Sequence, residues 1–226
     1  MREIYTVFDL ETTGLDPRKD QITEIAAIRT DLIREYGRLD FRITKNSGTK
    51  LTPEIVNLTG INESMMRGGI PEELAIPLLA CFMSGSIVVA HHAPFDLSFL
   101  ARYLVEPSSF VCTRALSKLV EPDESASLAA VAERRGIELT RHHRAMADVE
   151  ATVKVFQLTK AEADALGIRY YNVLINDEER PLTYIPKLAK VIDKTKGRSY
   201  LASNSRPDRK GFCRVPRQLA FSARGI

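Results

Sequence analysis

The feature that most constrains this chain is a pair of carboxylates, Asp9 and Glu11, beside a run of strand-forming residues. The run Ile4-Tyr5-Thr6-Val7 is β-branched and aromatic, which predicts a buried strand. Side chains at positions i and i+2 of a strand point to the same face, so the two acids lie side by side. Two like charges at the end of a buried strand repel each other and lose hydration unless a cation lies between them. Oxygen ligands of this kind suit Mg²⁺ or Mn²⁺, while a pair of solvated surface acids is the plain alternative.

The hydrophobic periodicity of the following residues predicts an α/β fold. Residues 21–30 and 37–44 are strand candidates separated by short loops, which predicts an antiparallel meander over residues 3–45. Two further apolar runs, at residues 86–90 and 110–112, predict buried strands. Helical spacing is found over residues 53–58, 71–83, 125–135 and 145–160. The predicted architecture is a mixed five-stranded sheet, with antiparallel and parallel strands, flanked by helices.

Two of the predicted helices have specific features. The first has Thr52 as its N-cap and Gly60 in a left-handed turn after its end. The second runs from Pro71 to Met83 and is expected to bend or break at Pro77. Its predicted apolar face consists of Leu74, Leu78, Leu79 and Phe82.

Charge is distributed unevenly along the 226 residues, whose formal net charge is +3. From Lys187 onward there are eleven Lys and Arg against two acids, Asp193 and Asp208, so the rest of the chain is acidic. A basic tail on an acidic body predicts a polyanionic partner. We expect a main domain at 1–167, a small extension at 168–193 containing a strand and a basic helix over 183–193, and a flexible tail at 194–226.

Three scattered cysteines, Cys81, Cys112 and Cys213, favour a reducing compartment, with the first two as small core residues. No apolar run reaches the roughly 18 residues of a membrane span, and the first residues enter a strand at once, which leaves no room for a signal peptide. The expected location is the cytoplasm, without membrane association.

Three separated segments together resemble the sequence blocks of the DEDDh (DnaQ-like) 3′–5′ exonucleases. The segments are Phe8-Asp9-Leu10-Glu11-Thr12-Thr13-Gly14, His91-His92-Ala93-Pro94-Phe95-Asp96 and His143-Arg144-Ala145-Met146-Ala147-Asp148. The resemblance covers roughly residues 3–165 and includes the proofreading exonuclease of bacterial DNA polymerase III. It implies a ribonuclease-H-like fold and a hydrolase that removes nucleoside monophosphates from nucleic-acid 3′ ends.

The resemblance also implies a site for two Mg²⁺ or Mn²⁺ ions. Its implied ligands are Asp9, Glu11, Asp96 and Asp148. Two such ions activate a water and relieve charge on the leaving 3′ oxygen during in-line cleavage. His143 is the implied general base, because the family histidine stands five residues before the last aspartate, which excludes His142. A sister subgroup has tyrosine where this chain has Arg144.

Implied substrate contacts lie around this site. The implied residues are Thr12, Thr13, Gly60, Ile61, His91 and Phe95. Ile61 resembles a family residue that packs against the terminal base, although a turn or helix cap explains the Thr-Thr-Gly and Thr-Gly-Ile stretches equally well. His92 departs from the family, which usually has asparagine there.

Three functions remain open on these residues. The first is a DNA 3′–5′ exonuclease acting on single-stranded or frayed ends, the second an RNA 3′-end trimming enzyme of the same fold. The third is an inactive nucleic-acid-binding or polymerase-tethering module, which the complete catalytic set disfavours. A DNA polymerase or a sliding clamp is a further expected partner, since Gln218-Leu219-Ala220-Phe221 faintly resembles clamp-binding peptides.

Overall fold

The computed structural model of the protein describes residues 2–140 and 143–195. The strands within these ranges are β1 (Tyr5–Thr12), β2 (Ile22–Thr30), β3 (Glu35–Arg42), β4 (Ile87–Ala90), β5 (Phe110–Cys112), β6 (Val173–Asn176) and β7 (Lys190–Asp193). The helices are α1 (Pro53–Thr59), α2 (Glu63–Met66), α3 (Glu72–Met83), α4 (Ala93–Ala101), α5 (Thr113–Val120), α6 (Leu128–Arg134) and α7 (Ala145–Ala165). None of these helices is long and apolar enough to cross a membrane.

The central element is a five-stranded sheet with the order β3-β2-β1-β4-β5. Strands β1, β2 and β3 form the antiparallel meander, and β4 and β5 continue the sheet in parallel with β1. The predicted mixed sheet is therefore confirmed. Strands β6 and β7 form a separate two-stranded parallel sheet.

Alternation along β1 assigns its side chains to two cores on opposite faces of the sheet. Phe8 and Leu10 belong to the core that α3 and α4 cover, and Tyr5 and Val7 belong to the core that α7 covers. The Tyr5 ring meets the Phe156 ring of α7 edge to face, with the centroids 5.0 Å apart. Because the strand period is two residues, Asp9 continues the series of Tyr5 and Val7 onto the α7 face.

Helix α1 begins and ends as the sequence predicts. The Thr52 side chain accepts a hydrogen bond from the Ile55 N–H at 3.4 Å, and Gly60 adopts the left-handed conformation with φ of 69°. Helix α2 and helix α5 have no counterpart in the sequence-based prediction. Helix α5 follows β5 directly, and its N-cap, Cys112, makes no capping hydrogen bond with its side chain. The usual start signal of a helix is therefore absent from this position.

The predicted apolar face of α3 is right in part. Leu79 is buried and Phe82 packs against the core, whereas Leu74 and Leu78 are 52% and 43% exposed. The helix also buries Ala75, Ile76 and Met83, and it is continuous through Pro77. Nearly every residue of this helix after its two glutamates is apolar, so spacing alone does not select a face and packing against the sheet decides.

The two described cysteines differ in burial. Cys81 is exposed on α3, so its assignment to the core is wrong, whereas Cys112 is buried as predicted. Cys213 and the Gln218–Phe221 stretch lie outside the described residues.

The segment after α7 packs closely against the main sheet. Leu174 and Ile175 join the core beneath α4, and Tyr170 joins the core beneath α7. The buried Arg114 guanidinium of α5 donates to Asp177 at 3.0 Å and to Glu179 at 3.3 Å. Burial of this kind fixes the segment onto α5 through both apolar and charged contacts.

The helix predicted over residues 183–193 is wrong. Its last four residues, Lys190–Asp193, form strand β7, which pairs in parallel with β6 from Val173↔Lys190 to Asn176↔Asp193. Strand β6 offers backbone partners to this segment, and a helical hydrophobic period carries no information about such long-range pairing.

Candidate active site

The two acids of β1 lie at the end of the central strand, on the face that α7 covers. Glu11 is 8% exposed and Asp9 is half-buried. The pairing of β1 with β2 becomes irregular between Glu11 and Thr12. The strand thus delivers two carboxylates to one sheet edge, as the sequence predicts.

Asp96 approaches the same edge from α4. Strands β1 and β4 are parallel, so their carboxyl ends lie together, and α4 starts three residues after β4 ends. Asp96 is buried in the first turn of α4, and its Oδ1 accepts a hydrogen bond from the Leu10 N–H at 3.2 Å. This bond ties the carboxylate to the backbone between Asp9 and Glu11.

Helix α7 brings Asp148 and His143 to the site. Asp148 lies in the first turn of α7, and its Oδ2 accepts a hydrogen bond from the His143 N–H at 3.1 Å. His143 has a left-handed backbone with φ of 64°. Ligand atoms of Glu11, His143 and Asp148 all lie within 4.8 Å of one another. This triad does not include Asp9 and Asp96, and His142 lies outside the described residues.

Burial and repulsion between neighbouring acids raise the pKa values of Asp9, Glu11 and Asp96, which together with Asp148 form what we call the carboxylate cluster. Burial, followed by repulsion from Asp96, Glu11 and Asp148, raises the pKa of Asp9. Burial and repulsion from Asp148 raise the pKa of Glu11 to about 8, and burial raises the pKa of Asp96 to about 8. Ionising these groups at neutral pH is therefore costly without a cation. Their oxygen donors fit Mg²⁺ or Mn²⁺.

Thr12, Thr13 and Gly14 form the turn that follows β1. The Thr12 hydroxyl donates to the Gly14 carbonyl at 2.6 Å, and the Thr13 hydroxyl donates to Asp20 Oδ1 at 3.3 Å. A Cβ on Gly14 would lie 2.4 Å from Asp20 Oδ2, so a larger residue there would displace the Asp20 side chain that the turn uses. Both hydroxyls thus stabilise the turn, and their contact with a nucleotide stays a prediction.

Two of the residues predicted to bind substrate make contacts inside the protein. Ile61 is fully buried at 0% exposure, and the packing of its side chain against a terminal base stays a prediction. The ring nitrogens of His91 meet the Thr113 hydroxyl and the Ala126 carbonyl, each at 2.9 Å. Both ring nitrogens of His91 therefore support the fold, and its contact with substrate stays a prediction.

Gly60, Phe95 and His92 remain near solvent. Gly60 is exposed, and the half-buried Phe95 packs on Phe99 with the ring centroids 5.2 Å apart. His92 immediately precedes α4. Burial, followed by repulsion from Arg114 and Arg180, lowers the pKa of His92 to about 4, so its imidazole is neutral at pH 7. In that state it is uncharged, like the asparagine that is usual in the family.

Sequence reasoning missed Glu24, which lies directly opposite Glu11 in the β1–β2 pairing. Glu24 is 1% exposed, and Arg144 donates to it at 2.7 Å. The available signal was an acid within the apolar strand Ile22–Thr30, because a buried charge requires a partner elsewhere in the chain.

Comparison with known families matches residues 6–156 to the RNase_T family, described as exonuclease. The chain is 31% identical to the PolC-type DNA polymerase III of Clostridium perfringens (strain 13 / Type A) over 206 residues, 82% of this chain and 14% of that protein. It is 33% identical to the PolC-type DNA polymerase III of Thermotoga petrophila over 161 residues, 67% of this chain and 11% of that protein. The chain therefore spans only a small part of the length of these polymerases.

Solved structures of Exonuclease I share the fold. The E. coli Exonuclease I structure in complex with a dT13 oligonucleotide matches with a TM-score of 0.65 and 22% identity, covering 73% of this chain and 42% of that chain. Exonuclease I from Methylocaldum szegediense matches with a TM-score of 0.61 and 24% identity, covering 73% and 43%. The predicted ribonuclease-H-like fold and the DEDDh resemblance are confirmed, and the chain belongs to the exonuclease family.

Proposed function

We propose that the chain is a divalent-metal-dependent 3′–5′ exonuclease that releases nucleoside monophosphates from DNA 3′ ends. The observation that carries this proposal is the meeting of Glu11, His143 and Asp148, with ligand atoms within 4.8 Å, beside the half-buried Asp9 and the buried Asp96. A cluster of acids with raised pKa values in a chain of the exonuclease family is suited to cations and a phosphodiester.

In this proposal the carboxylate cluster binds two Mg²⁺ or Mn²⁺ ions. Bound ions of this type neutralise charge on a phosphodiester and acidify water beside it. Glu11 and Asp9 supply oxygen ligands from β1, and Asp148 supplies one from α7. Asp96 is held by the Leu10 N–H and contributes negative charge beside Asp9.

His143 acts as the general base. It stands next to Glu11 and Asp148, and histidine is the side chain most often used as a general base. The hydrogen bond from its N–H to Asp148 holds the backbone in the left-handed turn that brings the residue to the site. A proton taken from the attacking water by a positioned base accelerates such reactions by roughly 10²–10⁴.

The proposed substrate is the 3′ end of single-stranded or frayed DNA. The PolC-type relatives are DNA polymerases, and the E. coli Exonuclease I structure contains a dT13 oligonucleotide. The basic residues after Lys187 would attract the phosphate backbone. Association with a DNA polymerase or a clamp would match the PolC-type relatives, in which the matched segment is part of the polymerase chain.

Digestion of matched substrates tests the proposal. Single-stranded DNA, duplex DNA and RNA of one sequence, each labelled at the 5′ end, are incubated with the protein and Mg²⁺ or Mn²⁺. We expect stepwise shortening of single-stranded DNA from its 3′ end, release of monophosphates, and complete inhibition by EDTA. Asp148→Asn is the inactive control. Faster digestion of RNA than DNA would move the proposal to an RNA-trimming enzyme, and no shortening of any substrate would contradict it.

A further inference from the structure

Glu24 is a second buried glutamate on the sheet face that carries the carboxylate cluster. It is the direct partner of Glu11 across β1 and β2, and opposing residues in an antiparallel pair project to the same face. At 1% exposure its carboxylate is more deeply buried than that of Glu11. None of the sequence blocks that suggested the family includes it.

Three hydrogen bonds join the Glu24 carboxylate to the start of α7. Arg144 donates from Nη2 to Oε1 at 2.7 Å and from Nε to Oε2 at 3.2 Å. The Ala145 N–H donates to Oε2 at 3.0 Å. The two-point guanidinium contact fixes orientation as well as distance, and the third bond satisfies a helix N–H that has no partner within the helix.

These hydrogen bonds lie next to His143, whose backbone is in the left-handed conformation. Arg144 is the N-cap of α7, and the preceding residue, His143, has φ of 64°. His143 is fixed on its other side by its N–H bond to Asp148. A left-handed backbone at a residue with a side chain costs free energy and persists only where neighbouring contacts hold it.

We propose that Glu24 and Arg144 form a positioning pair that sets how His143 and Asp148 enter the active site. The pair anchors the first turn of α7 to β2, which is hydrogen-bonded along its length to the strand that carries Asp9 and Glu11. The pair thereby fixes the position of the residues on α7 relative to the residues on β1. This inference rests on the proposed exonuclease function.

The chain provides a matched control for this pair. Arg38 of β3 and Glu150 of α7 also join the sheet to the same helix, at 3.0 Å, but both side chains are about half exposed. This second pair does not contact the backbone at the start of α7. If the site only needed ion pairs between the sheet and α7, loss of either pair would lower activity. If the Glu24–Arg144 pair positions the site, only its loss would lower activity.

The experiment compares wild type with Glu24→Gln, Arg144→Lys, their double variant and Arg38→Lys. Steady-state digestion of single-stranded DNA gives kcat and KM, normalised to the folded fraction from thermal melts, and Mn²⁺ titration gives metal affinity without turnover. We expect kcat to fall by roughly 10–100-fold in both single variants, because small displacements of reacting groups have effects of this size. KM should change less than about twofold, and Mn²⁺ affinity should weaken by about tenfold.

Further outcomes discriminate between positioning and plain stability. The double variant should be no worse than the poorer single variant, since one interaction is lost in each case. Millimolar guanidinium should restore part of the kcat of Arg144→Ala and leave Arg38→Ala unchanged. Normalised kcat and Mn²⁺ affinity within threefold of wild type in either single variant would overturn the inference. An inactive wild type would contradict the proposed function instead, and the Mn²⁺ titrations would still test the pair.

Discussion

The carboxylate cluster and the Glu24–Arg144 pair are neighbours on one sheet face, but they accommodate buried charge in opposite ways. Glu24 is met by a guanidinium at 2.7 Å and a helix N–H at 3.0 Å. Glu11, directly opposite, is surrounded mainly by other acids, and its pKa is raised to about 8. The chain therefore supplies Glu24 with a cation of its own and leaves Glu11 to repel its neighbours.

This difference distinguishes a buried carboxylate that stabilises the fold, Glu24, from buried carboxylates that are suited to bind a cation. A buried carboxylate with a close arginine and a backbone donor is stabilised within the chain. A group of carboxylates that raise one another's pKa values destabilises the folded protein unless a cation is bound. The same residue type thus has opposite effects at two positions that face each other across β1 and β2.

Substitution of Glu11 should have the largest effect on activity. Glu11→Gln keeps the shape of the side chain but removes one charge from the cluster, so hydrolysis of single-stranded DNA should become undetectable. The metal-free protein should melt at an equal or higher temperature, because repulsion is relieved. Asp9→Ala and Asp148→Ala should behave alike in activity assays and in melts with EDTA. Wild-type-like hydrolysis by any of the three would remove it from the proposed site.

Substitution of Arg144 should have the largest effect on stability. Arg144→Met leaves the Glu24 carboxylate buried without its cation, which should lower the free energy of unfolding by about 3 kcal/mol. Urea denaturation with and without Mg²⁺ measures the change. The double variant Glu24→Gln/Arg144→Met should recover part of the loss, since no charge is left unpaired. A single variant as stable as wild type would show that the pair is not required for folding.

The pH dependence of stability should report the carboxylate cluster. The pKa values of Glu11 and Asp96 are about 8 in the folded protein, against about 4 in an unfolded chain. Between these values the folded state binds more protons than the unfolded state, so the free energy of unfolding falls as pH rises. We expect the free energy of unfolding to fall steadily between pH 5 and pH 8 in EDTA. Saturating Mg²⁺ and Glu11→Gln should each reduce this loss.

The exposed Arg38–Glu150 pair should have the smallest effect. Arg38→Met removes a contact at 3.0 Å between side chains that are about half exposed, and solvent screens such pairs. The free energy of unfolding should change by less than about 0.5 kcal/mol. Denaturation in low and high salt provides the measurement. A loss as large as that of Arg144→Met would contradict the distinction between buried and exposed pairs.

The sequence by itself determined the antiparallel meander of the sheet and the strand that carries Asp9 and Glu11. Asp9 and Glu11 share a face because a strand has a period of two. The choice of His143 over His142 follows from the family resemblance and stays a prediction. Thr52 and Gly60 bound α1 as predicted, because helix ends depend on contacts within a few residues. Features that follow from local periodicity or local hydrogen bonding can be derived without knowing the fold.

Only the tertiary structure decided which surfaces and partners these elements would use. Leu74 faces solvent on α3 and Lys190–Asp193 pairs with β6, although local patterns predict otherwise for both. The Glu24–Arg144 contact joins residues 120 positions apart in the chain. Burial and charge pairing depend on neighbours that are distant in sequence. Which side chains are buried and which charges are paired is therefore decided only when the sheet and helices pack together.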